Sequence, residues 1–343
     1  RDPPPNDPPP PGRSLARDAN YDGMGAAQQA QQRRGERRGG QQRGGRRGGG
    51  GQRGGGISEA AMRQAGVAVT LAPSRGEHGT LFVSGRDRGD DVIPSVVVQA
   101  EHYNLIARLI ELGRPVKLRV GVRSQFHEDD TNGYNVLAEI PGADPAIGDQ
   151  VVMVGAHLDS WHGATGATDN ADGSAVAMEA MRILKALDVK PRRTIRVGLW
   201  SGEEQGLHGS RHYVQDRLSD AAAREKFSVY FNLDPGAGPI YGWFLEGNAA
   251  MHPILAVWMK PFDDLYPVTL TMRGIGSTDH LNFRRVGLPG FQAIHDYVGY
   301  DVREHHTNMD FAERVEESEL IQASVVMASI LYHAAMRDEM IPR

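Results

Sequence analysis

Residues 151–174, VVMVGAHLDSWHGATGATDNADGS, restrict this chain more than any other stretch. The apolar run Val151–Val154 reads as a buried strand that closes at Gly155-Ala156. His157 and Asp159 stand where that strand stops. Asp169 follows, then Asn170 and a helical stretch from about Ala171. An imidazole and a carboxylate on the rim of a sheet, with a second carboxylate at the mouth of the next helix, is a common layout for a zinc site. Everything else in the chain completes this site, covers it or hangs off it.

The sequence contains no cysteine, which excludes disulfides, Cys-based zinc fingers and thiol catalysis. A metal here must sit on His, Asp and Glu. The 343 residues leave room for one large domain plus extras, and the apolar fraction of 40% suits a globular core. No continuous run of 18 apolar residues occurs, so no membrane span is expected. The chain starts at Arg1 and reads as a fragment or a processed product, compatible with a removed signal peptide.

The net charge of −5 hides a split. Residues 1–56 carry eleven Arg against five acidic residues, which leaves −11 on the rest. This stretch is Pro-rich at first, then Gly-, Gln- and Arg-rich, with RGG at Arg38, Arg43, Arg47 and Arg53. Nothing in it can bury a core, so disorder is expected. RGG runs over residues 33–56 fit a nucleic-acid tether. The absence of any aromatic residue between Gly23 and Gly56 favours the blander reading of a flexible low-complexity insertion.

Order is expected from Ile57, with a helix over Ser58–Gln64 and strands over Val67–Leu71, Thr80–Val83 and Ile93–Val98. A helix over Ala100–Leu112 and a strand over Val116–Val122 follow. The succession of IPSVVV, helix, Gly113 and strand resembles the second half of a protease-associated domain. That resemblance implies a partial accessory unit over 57–122 that shapes access to an active site. From Tyr134 strands alternate with helices. The strands are Asn135–Ile140, Val151–Ala156, Thr194–Trp200, Phe227–Leu233, Val268–Met272 and Gly290–His295, and the helices include Ala171–Leu187, His252–Met259 and Glu317–Met336. This is the pattern of a three-layer α/β/α domain over 123–343 around a mixed, largely parallel sheet.

Strand ends deliver His157, the pair Glu203-Glu204, Asp234 and, beyond the last strand, His306. So many buried acids require cations, and two divalent ions would offset the charge. His162 and His305 neighbour the same motifs and compete as ligands. Asp172 reads as a helix cap, and Asp310 as a group that supports a ligand from behind. Ser277, Asp279 and His280 do not make a serine hydrolase, because no GxSxG elbow exists. His127-Glu128 does not extend to HExxH, so a zincin is excluded. Pro235 makes the turn after Asp234 unusual.

The segments HLDSW, ATDNADGSA, LWSGEEQG, NLD, STDH and HHTNMD, in this order, resemble the M28 peptidases, and among them the bacterial relatives of carboxypeptidase Q. The resemblance runs from about Tyr134 to Met336 and implies the zinc-exopeptidase (phosphorylase/hydrolase-like) fold, a peptide substrate and an extracytoplasmic location. It also implies two zinc ions, one on His157 and Asp234, the other on Glu204 and His306, with Asp169 bridging both. Glu203 would be the general acid/base, and Asp159 would orient the His157 imidazole. On physical grounds, a nearby donor such as Tyr300 would help the zinc ions stabilise the oxyanion. Other readings remain: a zinc amidohydrolase or cyclase on a non-peptide amide, or an RGG-type nucleic-acid-binding protein with an inert peptidase domain.

Overall fold

The alternation that begins at Tyr134 becomes a twisted sheet with helices on both faces. The computed structural model describes residues 57–343 except 77, 84, 86–88, 90–91, 235–237, 266 and 296–298. The RGG-bearing stretch and Pro235 lie outside the described residues. First come α1 (Glu59–Gln64), β1 (Thr70–Pro73), β2 (Ser95–Val98) and α2 (Ala100–Glu111), with β1 and β2 paired in parallel. Ser58 caps α1, its side chain accepting from the Ala61 amide at 3.2 Å.

The main sheet is built from β3 (Val136–Ile140), β4 (Val151–His157), β5 (Thr194–Trp200), β6 (Phe227–Asn232), β7 (Ile240–Phe244), β8 (Thr269–Thr271) and β9 (Gly290–His295). Its order is β3-β5-β4-β6-β9-β7-β8. The four central strands β5, β4, β6 and β9 run parallel, while β3 and β7 pair antiparallel with β5 and β9. Strands β4 and β6 are buried along their whole length, as strands covered on both faces must be. Their near-continuous apolar sequence follows from that.

Two cores hold the layers. On one face α3 (Asp172–Ala186) and α8 (Glu317–Met336), with α6 (Met251–Met259), press Val176, Ala180, Leu184, Met327 and Leu331 onto Val152, Val154 and Phe231 of the sheet. On the other, α4 (His208–Arg217) and α7 (His280–Arg285) bring Tyr213 and Phe283 against Trp200, Phe227 and Tyr230. The short α5 (Ala221–Glu225) leads into β6. By length and composition α8 also meets the requirement for a membrane span, but half of that stretch is buried within the fold, as in a core helix.

The structure departs from the sequence reading at several places. Val116–Val122 is not a strand, and its alternating apolar side chains Leu118, Val120 and Val122 are exposed. Alternation makes a strand only when a neighbour supplies the ladder hydrogen bonds, and among the described residues this segment has no paired neighbour. Residues 80–83 do not join the small sheet, and Phe82 instead pairs antiparallel with Thr307. Strand β7 was not expected, because Gly238, Pro239 and Gly242 make GPIYGWF look like a loop. Gly242 is there for packing, since a Cβ on it would lie 2.0 Å from the Thr269 carbonyl oxygen across the β7–β8 pair. The six-residue α7 also went unread, being too short for its period to show.

Phe283 is fully buried and stacks on Tyr230 with ring centroids 4.1 Å apart. Phe283→Ala is expected to destabilise the fold by about 3–5 kcal/mol, through lost transfer energy and the cavity left behind. Chemical denaturation of the two proteins measures this directly.

Candidate metal centre

The carboxyl ends of β4, β5 and β6 open on one sheet edge, where sites form in folds of this kind. His157 is the last residue of β4. Glu203 and Glu204 lie on the turn after β5, and Asp234 follows β6. Asp169 sits at a kink within the turn Ala167–Ala171, with a non-helical backbone, just before α3. His305 and His306 come from the loop beyond β9, after the turn Tyr300–Glu304.

His157, Asp169 and Asp234 form one group of potential ligands and Asp169, His305 and His306 a second, with Glu204 reaching His306 from the side. His157 Nε2 is 3.2 Å from Asp169 Oδ1 and 3.6 Å from Asp234 Oδ1. His306 Nε2 is 3.3 Å from Asp169 Oδ2 and 2.9 Å from Glu204 Oε2. Ligands at about 2.1 Å from a tetrahedral ion stand roughly 3.4 Å apart, so both sets of donors are spaced as a divalent cation needs. Each oxygen of Asp169 faces a different imidazole, and its buried Oδ2 accepts no hydrogen bond. A buried anionic oxygen without a donor calls for a cation. The donors gathered around Asp169 therefore fit divalent-cation binding.

Supporting contacts fix the donors. His157 Nδ1 lies 2.9 Å from the carbonyl oxygen of Asp159. A carbonyl only accepts, so Nδ1 carries the proton and Nε2 presents its lone pair toward Asp169 and Asp234. Asp159 thus holds the imidazole through its backbone carbonyl, while its carboxylate bonds elsewhere. The carboxylate is 3.8 Å from Nδ1 and accepts from the amides of Glu203 at 3.0 Å and Glu204 at 3.2 Å. Two orphan amides of the turn satisfy it better than one imidazole already bonded elsewhere. Asp310 accepts from Thr168 N at 2.6 Å, Thr168 Oγ1 at 2.9 Å and Asp169 N at 3.1 Å, so it clamps the turn that carries Asp169. Asn170 donates to the Leu233 carbonyl at 2.8 Å and ties that turn to the end of β6.

The electrostatics record crowding among like charges. Burial pushes the Glu203 carboxyl well above its ordinary range against the pull of His157, with Asp234, Asp279 and Glu204 adding to the rise. Burial also lifts Glu204 to about 7 and Asp169 to about 6. Burial alone would lower His157, but the Glu203 and Asp234 carboxylates outweigh it and hold the imidazole well above its ordinary value. Burial lowers His306, which suits a neutral ligand.

His305 groups with Asp169 and His306 as a potential ligand, whereas the other competing residues lie apart. His305 Nε2 is 3.9 Å from Asp169 Oδ2, farther than His306, and its ring stacks on Tyr300 at 5.0 Å. His162 is exposed and belongs to neither group. Asp172 is buried as the first residue of α3 and accepts from the Gly173 amide at 2.6 Å. Asp279 accepts from the Ser210 hydroxyl, and burial raises it to about 7. His280 turns away to Glu246, 3.1 Å from its Nε2.

One support was not legible beforehand. The Val83 amide donates to the His306 carbonyl at 2.6 Å. Leu81 and Asn308 exchange two bonds, from Leu81 N to Asn308 Oδ1 at 2.7 Å and from Asn308 N to Leu81 O at 3.0 Å. Residues 81–83 thus brace the loop in which His306 takes a left-handed φ of 58°. The apolar character of Leu81-Phe82-Val83 was the visible signal, but its target lies more than two hundred residues away.

The profile of peptidase family M28 matches residues 135–331, more than half of the chain. The chain belongs to peptidase family M28. Mouse carboxypeptidase Q is 28% identical over 251 residues, 73% of this chain and 52% of that protein. The chain spans about half the length of the curated carboxypeptidase Q relatives it matches. The crystal structure of a peptidase M28 precursor from Shewanella amazonensis superposes with a TM-score of 0.68 at 27% identity, covering 83% of this chain and 64% of that one. A zinc aminopeptidase from Bacillus subtilis shares the fold, with a TM-score of 0.57 at 20% identity over 82% of this chain and 67% of that one. The three-layer α/β/α architecture is thus that of M28 peptidases.

Asp310→Ala is expected to weaken divalent-metal binding by about 10- to 100-fold, the usual effect of removing a group that holds a ligand in place. Competition with a chromophoric chelator measures it.

Proposed function

We propose that this M28 chain is a metallo-exopeptidase that cleaves peptide bonds near a chain terminus with two co-catalytic zinc ions. The reading rests on one observation: a buried carboxylate, Asp169, lies between His157, itself beside Asp234, and His306, itself beside Glu204. His157 and Asp234 would hold one ion, Glu204 and His306 the other, and Asp169 both. When bound, zinc acts as a Lewis acid toward the scissile carbonyl and lowers the pKa of water toward about 7.

The chain's own residues supply the remaining chemistry. Glu204 Oε2 meets His306 Nε2 at 2.9 Å, whereas the buried Glu203 carboxylate makes no such ion pair among the described residues and is left for proton transfer. It takes a proton from the attacking water and returns it to the leaving amine. Asp159 fixes both glutamates through their amides, which keeps the base and the ligand on one rigid turn. Tyr300, whose ring stacks on His305, would supply a donor to the developing oxyanion. The unit over residues 57–112 braces the His306 loop and would also shape entry to the site. The family resemblance supports peptides as substrates and a location outside the cytoplasm.

Two variants separate base from ligand. Glu203→Gln is expected to retain both zinc ions and to lose about two to four orders of magnitude in turnover. Glu204→Gln is expected to bind zinc more weakly and to recover part of its activity in excess zinc. Metal analysis beside kinetics distinguishes them, and the reverse pattern would exchange the two roles.

A further inference from the structure

The floor of the site is acidic, with Asp159, Asp169, Glu203, Glu204, Asp234 and Asp279 around it. Its rim is not. Arg75, between β1 and the brace, lays its guanidinium 4.3 Å over the ring of Phe82. Phe82 is the residue paired with Thr307, next to His306. The guanidinium is thereby fixed to the loop of a metal-ligand candidate, although Arg75 itself is exposed. Among the described residues no carboxylate pairs with it. A second exposed cation, Arg303, comes from the turn just before His305, with Nη2 3.4 Å from His78 Nδ1.

A guanidinium stacked by its face keeps its N–H edge for a planar bidentate acceptor. A short peptide must cross an otherwise acidic surface with its own carboxylate attached, and that carboxylate is such an acceptor. We infer that Arg75 binds the free α-carboxylate of a short peptide, so that the accessory unit over residues 57–112 selects substrates with an unblocked carboxyl terminus close to the scissile bond. Arg303 adds positive potential on the same side. The inference rests on the exopeptidase reading above and specifies which end of the substrate the site recognises.

The test compares leucyl-glycine with leucyl-glycinamide on the zinc-loaded protein and its Arg75→Gln and Arg75→Lys variants. Arg75→Gln is expected to raise KM for leucyl-glycine roughly 10- to 100-fold, the scale of a lost charge-assisted contact, with kcat nearly unchanged. KM for the amide should stay within about twofold, and Arg75→Lys should keep part of the discrimination. An equal loss on both substrates would overturn the inference and reduce Arg75 to a brace for Phe82, and so would no change on either. If the unsubstituted protein hydrolyses neither compound, the exopeptidase reading fails by itself. Calorimetric titration of leucyl-glycine and its amide into the same proteins then decides about Arg75. Binding of the free acid that Arg75→Gln removes sustains the carboxylate site, and equal binding of acid and amide overturns it.

Discussion

Asp169 is held between two imidazoles, one oxygen toward His157 and the other toward His306, in a place where water does not reach it. Most of the fold around the site serves to keep it there. The turn that carries it is clamped by Asp310 from the loop after β9 and by Asn170 reaching the end of β6. Ser174 ties the first turn of α3 to the carbonyl of His157 at 2.8 Å. Two strands, β4 and β6, are thus tied to the segment that carries one carboxylate, and the loop after β9 with them.

Such an arrangement is costly for the protein alone. Taking carboxylates out of water is unfavourable by several kcal/mol each unless an opposite charge compensates. The upward displacement of Glu203, Glu204 and Asp169 is the signature of that cost. Two cores, one on each face of the sheet, supply the apolar burial that lets the edge remain strained in charge. Metal binding and fold stability are therefore linked: a cation that binds only the folded state adds its binding energy to that of the cores.

The parts of this account that were legible in the sequence are those with local signals. The buried strands β4, β5 and β6 are short apolar runs, and the ligand candidates follow them directly, so His157, Glu203, Glu204 and Asp234 could be placed on one sheet edge before any coordinates. Asp169 was visible because it opens a helix. What stayed hidden depends on distant partners. The Phe82–Thr307 pairing joins segments far apart in the chain, and no periodicity announces it. The exchange of roles within Asp159, carbonyl to His157 and carboxylate to the glutamate amides, turns on a backbone bend that residue identity does not encode. Val116–Val122 shows the converse, since a regular alternation was read as a strand where the fold provides no neighbour. Gly242 masked β7 because a glycine required for close strand approach looks like a glycine in a turn.

The shared carboxylate is the claim on which the rest depends, and metal stoichiometry tests it most directly. Zinc bound per chain should be measured after equilibrium dialysis for the unsubstituted protein and for Asp169→Ala. If Asp169 bridges two ions, the unsubstituted chain holds close to two equivalents and the variant loses both together. A variant that keeps one full equivalent at undiminished affinity would show that Asp169 serves a single ion, and would contradict the account.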